Sequence, residues 1–156
     1  MTPQVVRIAR VVEVLPDEFA VMIADAAAEG VRNMALLATE FGSASDPFVE
    51  PGAALFAAFI DGDLTGVGGV TVEAGLTEPA MRLRRLYVRP RFRRAGVARA
   101  LAGAMMQQGF QTAPLLIVNA RATAAAGPFW EAMGFTPVDW RGVTHALRLS
   151  LPVCSP

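Results

Sequence analysis

At 156 residues, 53% of them hydrophobic and with 14 basic charges balancing 14 acidic ones, the chain has material for about one domain whose core needs no disulfide or metal. The mean hydropathy of +0.40 comes largely from alanine, and no apolar run approaches the ~20 residues of a membrane span. One cysteine, Cys154, rules out an internal disulfide, and Met1-Thr2-Pro3-Gln4 lacks the charged and apolar regions of a signal peptide, so a cytoplasmic protein is expected.

In chain order, Val5 to Val14 alternates loosely and predicts a first strand, ended by Pro16. Asp17 opens a helix with Phe19, Met22, Ile23 and Ala26 on one side, fading at Gly30. Arg32 to Phe41 repeats the helical spacing through Met34, Leu37, Ala38 and Phe41. Gly42 to Pro47 is a loop by composition. Ala53–Ile60 and Leu64–Glu73 predict two strands joined across Asp61-Gly62, a hairpin signal. Gly66, Gly68 and Gly69 in the second of these predict a bulge or close backbone packing.

After a turn at Gly75–Pro79, Met81–Val88 predicts a fourth strand. A helix opens on Gly96 and ends near Gly109. Pro114–Asn119 is nearly all apolar, as in a strand buried on both faces. A last helix starts near Ala124 or Ala125, leaving Pro128 in its first turn, where a missing N–H costs little. Gly134 suits its end. Val143–Leu151 is a final strand with His145, Leu147, Leu149 and Leu151 on one side. Nothing interrupts this order, so 1–156 is read as a single domain.

Seven arginines fall between Arg82 and Arg94. A nucleic-acid surface needs a basic domain with interleaved aromatics, and neither is present. The informative segment is Arg93-Arg94-Ala95-Gly96-Val97-Ala98, a short basic turn from a strand into a helix. A helix start leaves N–H groups unpaired and carries partial positive charge, which a phosphate satisfies. Glycine permits close approach, and Arg93 and Arg94 add charge. The pattern G-x-x-x-x-G-K-[ST] is absent, and G-x-G-x-x-G fails at positions 94 and 98.

What remains, R-x-x-G-x-A through Arg93, Gly96 and Ala98, resembles the acetyl-CoA-binding motif of the GNAT superfamily of acetyltransferases. Downstream, Ala126, Phe129, Glu131, Gly134 and Phe135 are similar to its A-x-x-F-Y-E-x-x-G-F segment. The resemblance implies an α/β fold. Its mixed central sheet has about six to seven strands and helices on both faces, in the order β-α-α-β-β-β-α-β-α-β. It also implies an acetyl-CoA-dependent N-acetyltransferase in which a primary amine of a small molecule or protein attacks the thioester directly, through a tetrahedral intermediate. No metal, nucleic acid or membrane is implied, and family members often pair as homodimers.

Carried onto this chain, the resemblance has Leu86, Tyr87 and Val88 pairing with the pantetheine arm. Arg93, Arg94, Ala95, Gly96, Val97 and Ala98 cradle the pyrophosphate, and an N–H near Leu86 faces the acetyl carbonyl. Asn119, Thr123 and Trp130 are further candidates for cofactor contact. Trp130 stands where a proton-donating tyrosine is usual, leaving Tyr87 or a water to protonate the thiolate. Arg84 and Arg85 stand where a strand-four glutamate base is common. Glu73 is the first candidate for that base, followed by Glu78, Asp139 and His145, and a base acting through water is equally allowed. If strict alternation holds, Arg82 and Arg84 share one face and Arg85 the other. One of Arg84 and Arg85 then binds an acceptor carboxylate, or both pair with Glu73 or Glu78. A non-catalytic acyl-CoA-binding module and an O-acyl or longer-chain transferase stay open as alternatives.

Overall fold

A computed structural model describes residues 4–150. Its elements, in chain order, are β1 (Arg7–Arg10), α1 (Phe19–Ala28), α2 (Asn33–Glu40), β2 (Ala54–Ile60), β3 (Asp63–Glu73), β4 (Ala80–Val88), α3 (Val97–Thr112), β5 (Leu115–Val118), α4 (Ala126–Ala132), β6 (Thr136–Trp140) and β7 (Val143–Arg148). The strands form one seven-stranded sheet in the order β1-β2-β3-β4-β5-β7-β6. Every neighbouring pair is antiparallel except β4 and β5, which run parallel through the α3 crossover.

Local chemistry explains most of these boundaries. Asp61 and Gly62 have φ of 50° and 84°, the doubly left-handed turn that matches strand twist in a two-residue hairpin. The expected first strand is shorter than Val5–Val14; a single bond from Val11 N to the Leu55 carbonyl (2.8 Å) extends it before Glu13 turns the chain at φ 68°. The last helix begins with Pro128 in its first turn, and Gly134 follows its end at φ 103°.

The core lies on both faces of the sheet. On one, α3 and α4 bury Leu101, Met105 and Trp130 against Val70, Leu83 and Leu116. On the other, α1 and α2 bury Met22, Met34 and Leu37 against Leu55, Val67 and Tyr87. β5 is buried on both faces, sending Leu116 and Val118 toward α3 while Leu115 and Ile117 form a third, smaller cluster with Ala80, Val143 and Ala146. The β3 glycines answer to these layers. A Cβ on Gly68 would sit 2.5 Å from Met105 Sδ, and one on Gly66 2.9 Å from the Tyr87 carbonyl. On the opposite face, a Cβ on Gly69 would enter the Phe48 ring. Close packing is therefore the reason for all three.

Two expectations need correction. The third helix does not end near Gly109 but continues to Thr112; Gly109 is buried where a Cβ would meet Leu116 Cδ2 at 2.6 Å. A hairpin partner to the final strand, β6, lies at the sheet edge. Its exposed residues and Pro137 hide any apolar alternation, and an edge position is where proline is tolerated. Leu151 and Cys154 lie outside the described residues. Among the described residues, no helix is long and apolar enough to cross a membrane.

Candidate active site

The site is built on an irregularity in β4. Val67 pairs with Tyr87 and Gly69 with Arg84, so β4 carries an extra residue, accommodated by Arg85 at φ 62°. A bulge of this kind shifts the alternation of side chains. Before it, Met81 and Leu83 pack toward α3; after it, Leu86 and Val88 do. Arg82, Arg84 and Tyr87 lie opposite Thr71, Gly69 and Val67, and Arg85 reaches Glu40 of α2 (Nε to Oε1, 2.9 Å). The alternation rule separated Arg84 from Arg85; the bulge instead places both toward α2.

On its other edge β4 soon loses its neighbour. Only Met81–Leu116 and Arg82–Ile117 are paired, and β5 ends at Val118, so Leu83–Val88 continue without a β5 partner. Backbone groups of Leu86, Tyr87 and Val88 thus border a wedge between two parallel strands. Asn119 and Thr123 are exposed on the wedge's β5 side, where Asn119 Oδ1 accepts the Arg121 N–H at 3.2 Å.

Following β4, the chain makes one 3₁₀ turn, Pro90–Phe92, and enters α3 through Arg94 (φ 67°) and Gly96 (φ 81°). Two left-handed residues in three leave the N–H groups pointing outward. Among the described residues, none of the N–H groups of Arg94 through Arg99 has a protein acceptor, and no side chain caps the helix. A 16-residue helix adds its positive end there. A Cβ on Gly96 would meet nothing within 4 Å, so the approach is open. Ala95, Val97 and Ala98 add their N–H groups to this unpaired run.

Arg93 has a different place from that of a phosphate ligand. Its guanidinium makes two 2.7 Å bonds to Glu29 and a third, 3.1 Å, to the Val88 carbonyl. It clamps the turn to the end of α1, whereas Arg91 and Arg94, also exposed there, form no ion pair among the described residues. Tyr87 joins the clamp, its hydroxyl donating to Glu29 at 2.6 Å. Burial, then the Glu29 carboxylate, pushes the Tyr87 hydroxyl well above its ordinary pKa.

The candidate bases are not brought together. Glu73 lies opposite Ala80, roughly 20 Å along β4 from Leu86 at ~3.3 Å per residue. Its carboxylate is held by Arg82 Nε (2.7 Å) and the Gly75 N–H (3.1 Å). Glu78 pairs with Arg148, and Asp139 is exposed on the edge strand β6. His145 is 7% exposed beneath α4, between Thr144 Oγ1 (2.9 Å) and Glu131 Oε2 (3.1 Å). Trp130 is 6% exposed and stacks edge-on with Phe129 and Phe135 at 5.0 and 5.1 Å, a core position.

Sequence reasoning missed Asn33 and Glu29. Asn33, the first residue of α2, donates from Nδ2 to the Leu86 carbonyl at 3.4 Å across 53 positions. No local spacing signals that contact. Two open clefts of about 440 and 370 Å³ flank the Ala44–Gly52 loop. Neither includes the bulge or the head of α3, so chemistry and not cleft size singles out the candidate site. Among the described residues no cluster of His, Cys, Asp or Glu is suited to a metal.

The sequence model of the acetyltransferase (GNAT) domain matches residues 23–149. The chain therefore belongs to the GNAT acetyltransferases, and its class is acyltransferase. A protein of Exiguobacterium sp. 255-15 is similar at 26% identity and TM-score 0.82, covering 92% of this chain and 93% of its own. An acetyltransferase of the GNAT family from Staphylococcus aureus Mu50 shares the fold at 11% identity and TM-score 0.68, with 94% and 100% coverage. An acetyltransferase from Streptococcus agalactiae 2603 does so at 12% identity and TM-score 0.65, with 92% and 98% coverage. No curated protein matches the chain.

Proposed function

We propose that the chain transfers an acetyl group from acetyl-CoA to a primary amine, by direct attack and without an enzyme-bound acyl group. The observation that carries this reading is the run of unpaired N–H groups from Arg94 to Arg99, just downstream of the unpartnered edge of β4. When bound, acetyl-CoA supplies a thioester carbonyl as electrophile. The cradle holds pyrophosphate through backbone N–H groups and the positive end of α3. Leu86–Val88 pair with the amide-bearing arm as with an added strand. A main-chain N–H at the bulge faces the carbonyl oxygen as negative charge builds, an effect of about 3 kcal/mol for one well-placed donor.

Proton transfers fall to water in this reading. On the α1/α2 side, Glu29, Glu40 and Glu73 are each engaged by an arginine. The Tyr87 hydroxyl is bound to Glu29, and Trp130 has no acidic hydroxyl. The thiolate leaves without help from either, which its ordinary pKa of ~8.5 permits.

Thermal unfolding with acetyl-CoA, against NAD and ATP as controls, tests the reading. At ~100 times Kd the ligand adds about 2.7 kcal/mol, a rise of roughly 5–10 °C. Amine-dependent release of free thiol completes the test. Absence of stabilisation by every CoA ester, with no thiol release, would overturn it.

A further inference from the structure

Two buried side-chain polar atoms among the described residues have no hydrogen-bond partner, Arg84 Nε and Asn33 Oδ1. Stable folds avoid such groups because burial removes water without replacing it. Both flank the same bulge. Arg84 immediately precedes the left-handed Arg85, and Asn33 reaches the Leu86 carbonyl, two strand positions on.

The neighbouring arginines are compensated. Arg82 pairs with Glu73, Arg85 with Glu40, Arg89 with Asp25 and Arg93 with Glu29. The Arg84 side chain forms no ion pair and no hydrogen bond within the described residues. Burial, followed by the charge of Arg85, lowers its pKa, yet a guanidinium remains protonated throughout the accessible range. A half-buried, uncompensated fork of N–H donors is a receptor for a carboxylate.

Asn33 supplies the opposite function. Its Nδ2 is committed to Leu86, which orients the amide and leaves Oδ1 as an empty acceptor. An N–H of an amine fills it. Both atoms belong to the α1/α2 side of the sheet, whereas the cradle lies at the head of α3, on the other side. A ligand here is therefore the acceptor and not the acetyl donor.

We infer that the acceptor is a small amine that also bears a carboxylate, an amino acid or a close relative, with Arg84 holding the carboxylate and Asn33 Oδ1 receiving an N–H of the amine. This rests on the transfer reading above. It excludes polyamines and other cationic acceptors, which would meet Arg84 as a like charge.

The test is acetyl-CoA-dependent thiol release with matched pairs, each an amino acid and its decarboxylated amine. The kcat/KM ratio should favour the acid by about 10- to 100-fold, the worth of a charged hydrogen bond. Arg84→Met should bring the ratio toward one by raising KM for the acid, with Arg84→Gln intermediate. Arg84→Met should also melt no lower than the parent, because it removes an unpaired buried charge; a purely structural arginine would lower the midpoint. Equal use of both pair members, or a preference that survives both substitutions, overturns the inference. Acetyl-CoA stabilisation is read alongside. Its absence sinks the transfer reading itself, whereas stabilisation without carboxylate-dependent turnover sinks only this inference.

Discussion

Tyr87 Oη and Glu29 Oε1 lie 2.6 Å apart, joining the last turn of the bulged strand to the end of α1 across 58 positions. Arg93 grips the same carboxylate with two nitrogens. One glutamate thus ties β4 and the loop feeding α3 to the helix on the opposite face. The tyrosine serves as an anchor, since a hydroxyl donating to a carboxylate and shifted upward in pKa is a poor acid at neutral pH.

Tyr87→Phe should cost about 1.5–3 kcal/mol, the usual worth of a hydrogen bond to a charged partner, while kcat falls by less than about threefold, or 0.7 kcal/mol. Denaturant unfolding and steady-state kinetics measure the two effects. A hundredfold loss of kcat with intact stability would restore Tyr87 as the proton donor.

The clamp also predicts a pH dependence. Arg93, and then Tyr87, hydrogen-bond the charged form of Glu29 and hold its carboxyl below the ordinary range. A carboxylate lowered on folding contributes stability that is complete above its unfolded pKa, ~4.3, and is lost as pH falls through the folded value. Melting midpoints of the parent and Glu29→Gln should therefore differ most near neutrality and converge below about pH 4. A gap that stays constant down to pH 3 would remove Glu29 from the account.

Gly96 stands open to solvent in the left-handed region. Gly96→Asp should cost about 1 kcal/mol in stability and place a negative charge in the cradle. Acetyl-CoA affinity should fall at least about tenfold, or 1.4 kcal/mol, read as loss of ligand-induced stabilisation. Undiminished stabilisation would mean that the cradle does not hold the pyrophosphate.

Packing under α3 separates two neighbouring glycines. A Cβ at Gly68 meets the flexible Met105 side chain, whereas one at Gly66 meets the Tyr87 carbonyl and the side chains of Val97 and Leu101 at 3.0 Å. Gly66→Ala should destabilise by about 1–3 kcal/mol and weaken acetyl-CoA binding, because Val97 begins α3. Gly68→Ala should cost less. Chemical denaturation of the two variants checks the order.

Much of this protein could be read without coordinates. The Asp61-Gly62 hairpin, the paired helices over Asp17–Gly30 and Arg32–Phe41, the wholly buried β5 and the Arg94–Ala98 helix start all follow from local chemistry: turn propensity, 3.6-residue periodicity, and the unpaired N–H groups of a helix entered through glycine. Each is a property of adjacent residues, so the linear chain records it. Tertiary structure alone decided what depends on distant partners. It made Gly109 a packing residue, since Leu116 leaves no room for a side chain there, and not the end of α3, which runs on to Thr112. It engaged Arg93, Arg85 and Glu73 in ion pairs that spacing does not announce. Above all, the single extra residue at Arg85 reversed the alternation of β4 and brought Arg85 and Tyr87 onto the same α1/α2 face as Arg84. A bulge is fixed by the register between two strands, and register is written in neither strand by itself.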